Sequence, residues 1–147
     1  MSLTATIKDA VKAAMRAKDK QRLGTLRLVT AEFKRVEVDE RIEIDDDRAL
    51  IILDKMGKQR RDSIAQYTDA GREDLAAVEQ LEIDVISEFL PEALGEEELA
   101  QLVADAVAQS GAVSMQDMGK VMGILKPQVQ GRADMAQISQ LVKSHLG

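Results

Sequence analysis

Apolar residues in this chain recur every three to four positions in one segment after another, the period of helices that bury a single face. The first segment sets Leu3, Ile7, Val11, Ala14 and Met15 at that spacing, with Lys8, Lys12 and Arg16 elsewhere on its surface and Ser2 or Thr4 placed to cap it. A second segment follows the candidate cap Asp19, aligns Leu23, Leu26, Thr30 and Phe33, and ends in the charged stretch from Glu37 to Glu43. Together they predict a helical hairpin. A third helix follows Asp45, Asp46 and Asp47, repeats apolar positions at Ile52, Leu53, Met56, Ile64 and Tyr67, and stops near Ala70 and Gly71. Three consecutive aspartates raise the question of a metal site. The capping reading is preferred, because carboxylates at a helix N-terminus accept from free N–H groups and favour the dipole, each by about 0.3 to 1 kcal/mol.

A fourth helix starts at Asp74, carries Leu75, Val78, Val85, Ile86 and Phe89, and ends before Pro91, since proline disfavours helix in the residue preceding it. Pro91 to Gly95 reads as a hinge or linker. Glu96, Glu97 and Glu98 open a fifth helix with Leu99, Leu102, Val103, Ala106 and Val107 on its apolar face and Gly111 as its stop. Ser114 to Asp117 resembles a capping box that starts a short helix through Met118, Val121, Met122 and Leu125. Gly131 interrupts, and Asp134 caps a terminal helix burying Ile138, Leu141, Val142 and Leu146. No segment shows convincing strand alternation. The predicted fold class is all-α, with a helical N-terminal lobe over residues 1–91 and a small helical C-terminal lobe over residues 96–147.

Composition adds limits on chemistry. The chain is 147 residues long with 45% hydrophobic but only 2% aromatic residues, so Leu, Ile, Val, Ala and Met must fill the interior. It has no cysteine, which excludes disulfides and thiolate chemistry, and its single histidine, His145, near a helix C-terminus, excludes a histidine-rich metal site, while no nucleophile elbow is present. No apolar run reaches the roughly 20 residues that cross a bilayer, and the opening MSLTATIKDAVKAAM lacks the pattern of a secretory leader. The expectation is a cytoplasmic protein with no membrane partner. GKVMG and QGRAD set glycine near basic residues without phosphate-loop spacing, and no catalytic residue, metal ligand or cofactor is assigned.

The net charge of -6 is unevenly spread. Residues 1–67 hold 15 Lys/Arg against 12 Asp/Glu, residues 68–109 hold only Arg72 against 12 acidic residues, and residues 110–147 hold four basic against two acidic. Such an acidic middle argues against a general nucleic-acid coat and leaves room for local contacts. Arg60 interrupts the apolar stripe of the third helix, and Glu79 and Glu82 interrupt that of the fourth. An ion pair between Arg60 and Glu79 or Glu82 is expected, fixing helix register. The competing reading has Lys58, Arg60 and Arg61 binding phosphate. In the tail, Lys120, Lys126, Arg132 and Lys143 lie among Gly119, Gly123 and Gly131, a pattern open either to close helix packing with solvated lysines or to phosphate contacts.

Three blocks in order, MSLTATIKDAVKAAMRAKDKQRLGTLRLVTAEFK, KQRRDSIAQYTDAGREDLAAVEQLEIDVISEFLP and DMGKVMGILKPQVQGRAD, resemble the signatures of the GatB/YqeY family over essentially the whole chain. The last block also resembles the tail domain of the B subunit of the tRNA-dependent Asp/Glu amidotransferase. That resemblance implies the Asn/Gln amidotransferase tail fold and points to Lys120, Lys126, Gly131, Arg132 and Ala133 as RNA-contacting positions, with Lys58 and Arg61 as additional candidates. It implies a tRNA-binding or amidotransferase-associated module, with tRNA, an amidotransferase or an aminoacyl-tRNA synthetase as partner. Carbon-nitrogen ligase activity with glutamine as amido donor belongs to relatives; no self-sufficient active site is expected here. With only Phe33, Tyr67 and Phe89 as aromatics, RNA recognition would be of shape and phosphates. The alternative is a protein-interaction module docking through the acidic 68–109 segment or a face around Met115, Met118 and Met122.

Overall fold

A computed structural model describes residues 2–146 as seven α-helices and one short 3-10 turn, with no strand among the described residues. The all-α expectation holds. The chain divides into two compact units, Met1–Leu90 and Pro91–Gly147.

The first unit contains α1 (Leu3–Ala17), α2 (Lys20–Glu40), α3 (Asp46–Asp69) and α4 (Glu73–Ser87). Each of the first three is started by a side chain of the expected type. Ser2 accepts from the Ala5 N–H, Asp19 from the Arg22 N–H and Asp45 from the Arg48 N–H. The aspartate run is thus shared out between two helices: Asp45 caps α3, while Asp46 accepts at 2.8 Å from the Leu3 N–H at the start of α1. The hairpin turn from α1 to α2 passes through Lys18 in the left-handed region, φ 56°, where its N–H satisfies the last carbonyls of α1.

The core of this unit is Ile7 from α1, Leu26, Val29, Phe33 and Val36 from α2, Ile52, Leu53 and Met56 from α3, and Ile86 from α4. Each fully buried aliphatic side chain is worth about 1.5 to 3 kcal/mol over its exposed state. Two stripe predictions fail at single positions. Met15 is exposed because Ala14 takes the core-facing place on α1, and Val78 is exposed because α4 buries the face of Ala76 and Ile86.

The second unit contains α5 (Glu96–Ser110), a 3-10 turn (Met115–Asp117), α6 (Met118–Val129) and α7 (Met135–Leu146). Leu99, Val103 and Ala106 of α5, Val121, Leu125 and Val129 of α6, and Ile138 and Val142 of α7 close its core. Gly111 ends α5 with φ 70°, and Gly131 turns the chain between α6 and α7 with φ 76°, conformations that cost a side-chain-bearing residue about 1 kcal/mol or more. The capping box at Ser114 is corrected. Its hydroxyl caps nothing, whereas Asp117 Oδ2 accepts from the Val113 N–H at 3.1 Å. α6 also runs past Leu125 and through Pro127, whose missing N–H frees the carbonyl four residues back at the exposed Gly123. Residues 92–94 are tied into this unit rather than hanging as a linker. The Leu94 N–H donates to the Arg132 carbonyl at 2.9 Å, and Arg132 Nε donates to the Glu92 carbonyl at 3.1 Å.

Candidate functional site

α4 carries more apolar residues than one buried face uses: Ala76 and Ile86 are buried, while Val78, Leu81 and Val85 form a second stripe at i, i+3 and i+7, of which Val85 also packs partly against the core. On α2, Leu28 likewise stands off the buried stripe. These side chains converge on a groove of about 500 Å³ between α2 and α4, with Lys20, Arg22, Gly24, Thr25 and Leu28 on one wall and Val78, Leu81, Glu82 and Val85 on the other. Leu28, Val78 and Leu81 remain 46%, 53% and 46% exposed. A Cβ added at Gly24 meets nothing within 4 Å, so the glycine leaves open space in the wall and not a tight helix contact.

The polar groups of the groove are mostly engaged. Thr25 Oγ1 donates to the Gln21 carbonyl at 3.3 Å, Arg22 is paired with Glu88, and Asp19 caps its own helix. Glu82 accepts from Arg60 Nε at 2.7 Å, and Arg60 also donates through Nη1 to the Met56 carbonyl at 3.1 Å. The Arg60 and Glu82 side chains are only 14% and 20% exposed, so this pair pins α4 to α3 beneath the groove wall. Glu79 makes no ion pair among the described residues, which leaves Glu82 as the partner of Arg60. Lys20 is the one basic group of the wall without an ion-pair partner among the described residues. Chemically, then, the groove offers apolar surface bordered by committed charge, an arrangement for binding side chains.

A second cavity of about 290 Å³ lies between α2 and α3, lined by Glu32, Arg35, Asp39, Glu40, Arg48 and Lys55 among others. Its charges neutralise one another: Arg35 bridges Glu32 and Asp39, and Arg48 holds Glu40. The Arg35 hydrogen bond draws the Glu32 carboxyl below its usual range, against a smaller opposing effect of burial. On the surface of α4, the Arg72 hydrogen bond lowers Asp74 in the same way.

The basic residues singled out in the sequence are divided between the units. Lys58 and Arg61 are exposed on α3 of the first unit, while Lys120, Lys126, Gly131 and Arg132 belong to the second. Lys120 is exposed and 3.8 Å from Asp117 Oδ1; Lys126 is exposed; Gly131 is half-buried in its turn. Arg132 is half-buried and spends its Nε on the Glu92 carbonyl, a structural tie. No hydrogen bond or ion pair joins Lys120, Lys126 and Arg132 to one another among the described residues. Met115 is exposed while Met118 and Met122 are half-buried against the second core, and the acidic 68–109 stretch is split between α4 in one unit and α5 in the other. The groove itself escaped the sequence reading. Its signal was the doubled apolar stripe of α4.

The description "Yqey-like protein" matches residues 4–146. The chain belongs to the YqeY-like family. That family is related to the tail domain of the amidotransferase B subunit, so the family resemblance stands. Similar curated proteins carry the name "Altered inheritance of mitochondria protein 41, mitochondrial". The protein from Pyrenophora tritici-repentis is 30% identical over 140 residues, 93% of this chain and 77% of the relative. Those from Eremothecium gossypii and Meyerozyma guilliermondii are 41% and 34% identical, over 69% and 82% of this chain. This YqeY-like chain spans 57% and 65% of the length of those two relatives, less than two thirds of each.

Two expectations are corrected by these names. The relatives are named as mitochondrial, which overturns the cytoplasmic assignment. They are named for the inheritance of mitochondria and not for tRNA, which overturns the tRNA-binding or amidotransferase-associated module. The physical source of the error is visible in the second unit, where one of the three cations on which that reading hung, Arg132, is occupied in holding residues 92–94.

Proposed function

We propose that this YqeY-like chain acts as a protein-docking module, with the α2–α4 groove of its first unit receiving an apolar face of a protein partner. The observation that carries this reading is the convergence of Leu28, Val78 and Leu81, all exposed, on one groove of about 500 Å³. Large apolar side chains exposed singly need no explanation, but three gathered around one concavity mark a binding surface. The pairs Arg60–Glu82 and Arg22–Glu88 hold the walls, so the surface is preformed. The relatives are named for the inheritance of mitochondria; carried to this chain, that role is read as one exercised through protein contact.

A photo-crosslinking residue at position 28, introduced in cells, tests the reading. The expected product is a discrete protein adduct that disappears when Gly24→Gln fills the groove. Gly24 is exposed, helical and free of neighbours within 4 Å, so this substitution leaves the fold intact. Absence of any protein adduct, or adducts indifferent to Gly24→Gln, refutes it.

A further inference from the structure

The two walls of the groove carry opposite charge along their outer edges. On α2, Lys20, Arg27 and Lys34 recur every seven residues on the stripe that includes Gly24 of the groove wall; all three are exposed and none is in an ion pair among the described residues. α4 carries no Lys or Arg; with Glu82 and Asp74 already paired to Arg60 and Arg72 and Glu79 half-buried, Glu73 and Asp84 are its exposed acidic residues without an ion-pair partner among the described residues. Asp84, three residues beyond Leu81, is exposed with only the Gln80 amide as partner, at 2.9 Å. A basic edge and an acidic edge flanking one apolar seam make the face self-complementary. A twofold rotation that sets α4 of one copy against α2 of another brings the acidic edge to the basic edge twice and the two apolar seams together.

We propose that the occupant of the groove is a second copy of this chain, joined through α2 and α4 in a twofold-symmetric dimer. The inference rests on the docking reading above and names its partner. The face measures about 22 Å along α4, at about 1.5 Å per residue for its 15 residues, and about 20 Å across two helices. Such an area, roughly 440 Å² on each copy, falls below the range of stable specific interfaces and in that of weak encounters, so the dimer is concentration-dependent and transient. Its paired edges lie near solvent, so it weakens as salt screens them.

Sedimentation equilibrium on the full chain tests this. The mass is expected to rise from 16.1 kDa toward twice that value with concentration, less so in high salt. Two charge-reversed variants sharpen the test. Lys20→Glu/Arg27→Glu makes both edges acidic, and Gln80→Lys/Asp84→Lys reverses the sign of the α4 edge at positions 80 and 84 beside a basic α2. Each alone is expected to associate at least about tenfold more weakly than the wild type, and the equimolar mixture to recover a one-to-one dimer, because every edge then meets its opposite. All four positions are exposed, and circular dichroism before mixing certifies the fold. Gly24→Gln gives an independent steric block that leaves charge unchanged. A wild type that stays at 16.1 kDa throughout overturns the proposal, as do variants that self-associate normally or a mixture that stays monomeric. If the wild type is monomeric while position 28 still captures a different protein in a Gly24-dependent way, the second copy is refuted and the docking reading survives. Loss of both signals refutes both.

Discussion

The pair between Arg60 on α3 and Glu82 on α4 gives the sharpest energetic prediction. Glu82→Gln keeps the size of the side chain and removes its charge, leaving the Arg60 guanidinium, 14% exposed, with neutral acceptors alone, the Met56 carbonyl and the new amide oxygen. Breaking a fully buried ion pair costs about 3 to 5 kcal/mol. Here 14% and 20% of the two side chains stay in contact with solvent, so water recovers part of that cost and about 1 to 3 kcal/mol is expected. For a unit of this size, 1 kcal/mol moves the midpoint by about 4 to 8 °C. The chain has no tryptophan and a single tyrosine, Tyr67, half-buried on α3, so tyrosine fluorescence follows the first unit alone. A cycle of Arg60→Met, Glu82→Gln and the double variant, unfolded in urea and followed at Tyr67, should give a coupling of about 1 to 2 kcal/mol. Additivity of the two single changes within about 0.5 kcal/mol would falsify the claim that the pair pins α4 to α3.

Three further outcomes are expected. Leu125→Ala, in the core of the second unit, should destabilise that unit by about 2 to 5 kcal/mol by calorimetry, and should leave the Tyr67 transition where it was because no residue of the first core is touched. Arg132→Met removes the Nε bond to the Glu92 carbonyl, so amide exchange at residues 93 to 95 should accelerate several-fold while the α5 core keeps its protection. Because Arg35 lowers Glu32, the folded state gains stability above the ordinary carboxylate range and loses it as pH falls through the depressed value. Glu32→Gln should therefore be less stable than the wild type near pH 7, by less than about 1 kcal/mol for so exposed a pair, with the gap closing in acid; a gap that persists there contradicts the assignment.

Helix periods and caps were legible because they are local. Ser2, Asp19 and Asp45 cap where their neighbours predict, and the buried stripes of α5 and α7 follow from spacing alone, whereas on α2 spacing finds Leu26 and Phe33 and misses Val29 and Val36. Arg60 against the fourth helix was legible as a charge in an apolar stripe, though spacing left Glu79 and Glu82 undecided and only the docking angle of α4 on α3 selects Glu82. The groove was not legible. Val78 fits the period of α4 as a core position, and nothing local says which of two apolar stripes a helix buries. The resemblance points to Arg132 as an RNA-contacting position, and no local pattern foretells that its Nε donates to a backbone carbonyl 40 residues earlier, a contact that only the folded unit creates.

The uneven spread of charge also decides how the two units respond to proteases. No Lys or Arg lies between Arg72 and Lys120, so trypsin has no target at the junction around Pro91, however open that junction becomes. The first sites it finds on either side lie in the turn before α4 and within α6. A glutamate-directed protease meets the opposite landscape, with Glu88, Glu92 and Glu96 to Glu98 crowded about the boundary between the units. The same acidic stretch that hides the joint from one enzyme offers it to the other, and the pair of digests separates opening of the joint from unfolding of either unit.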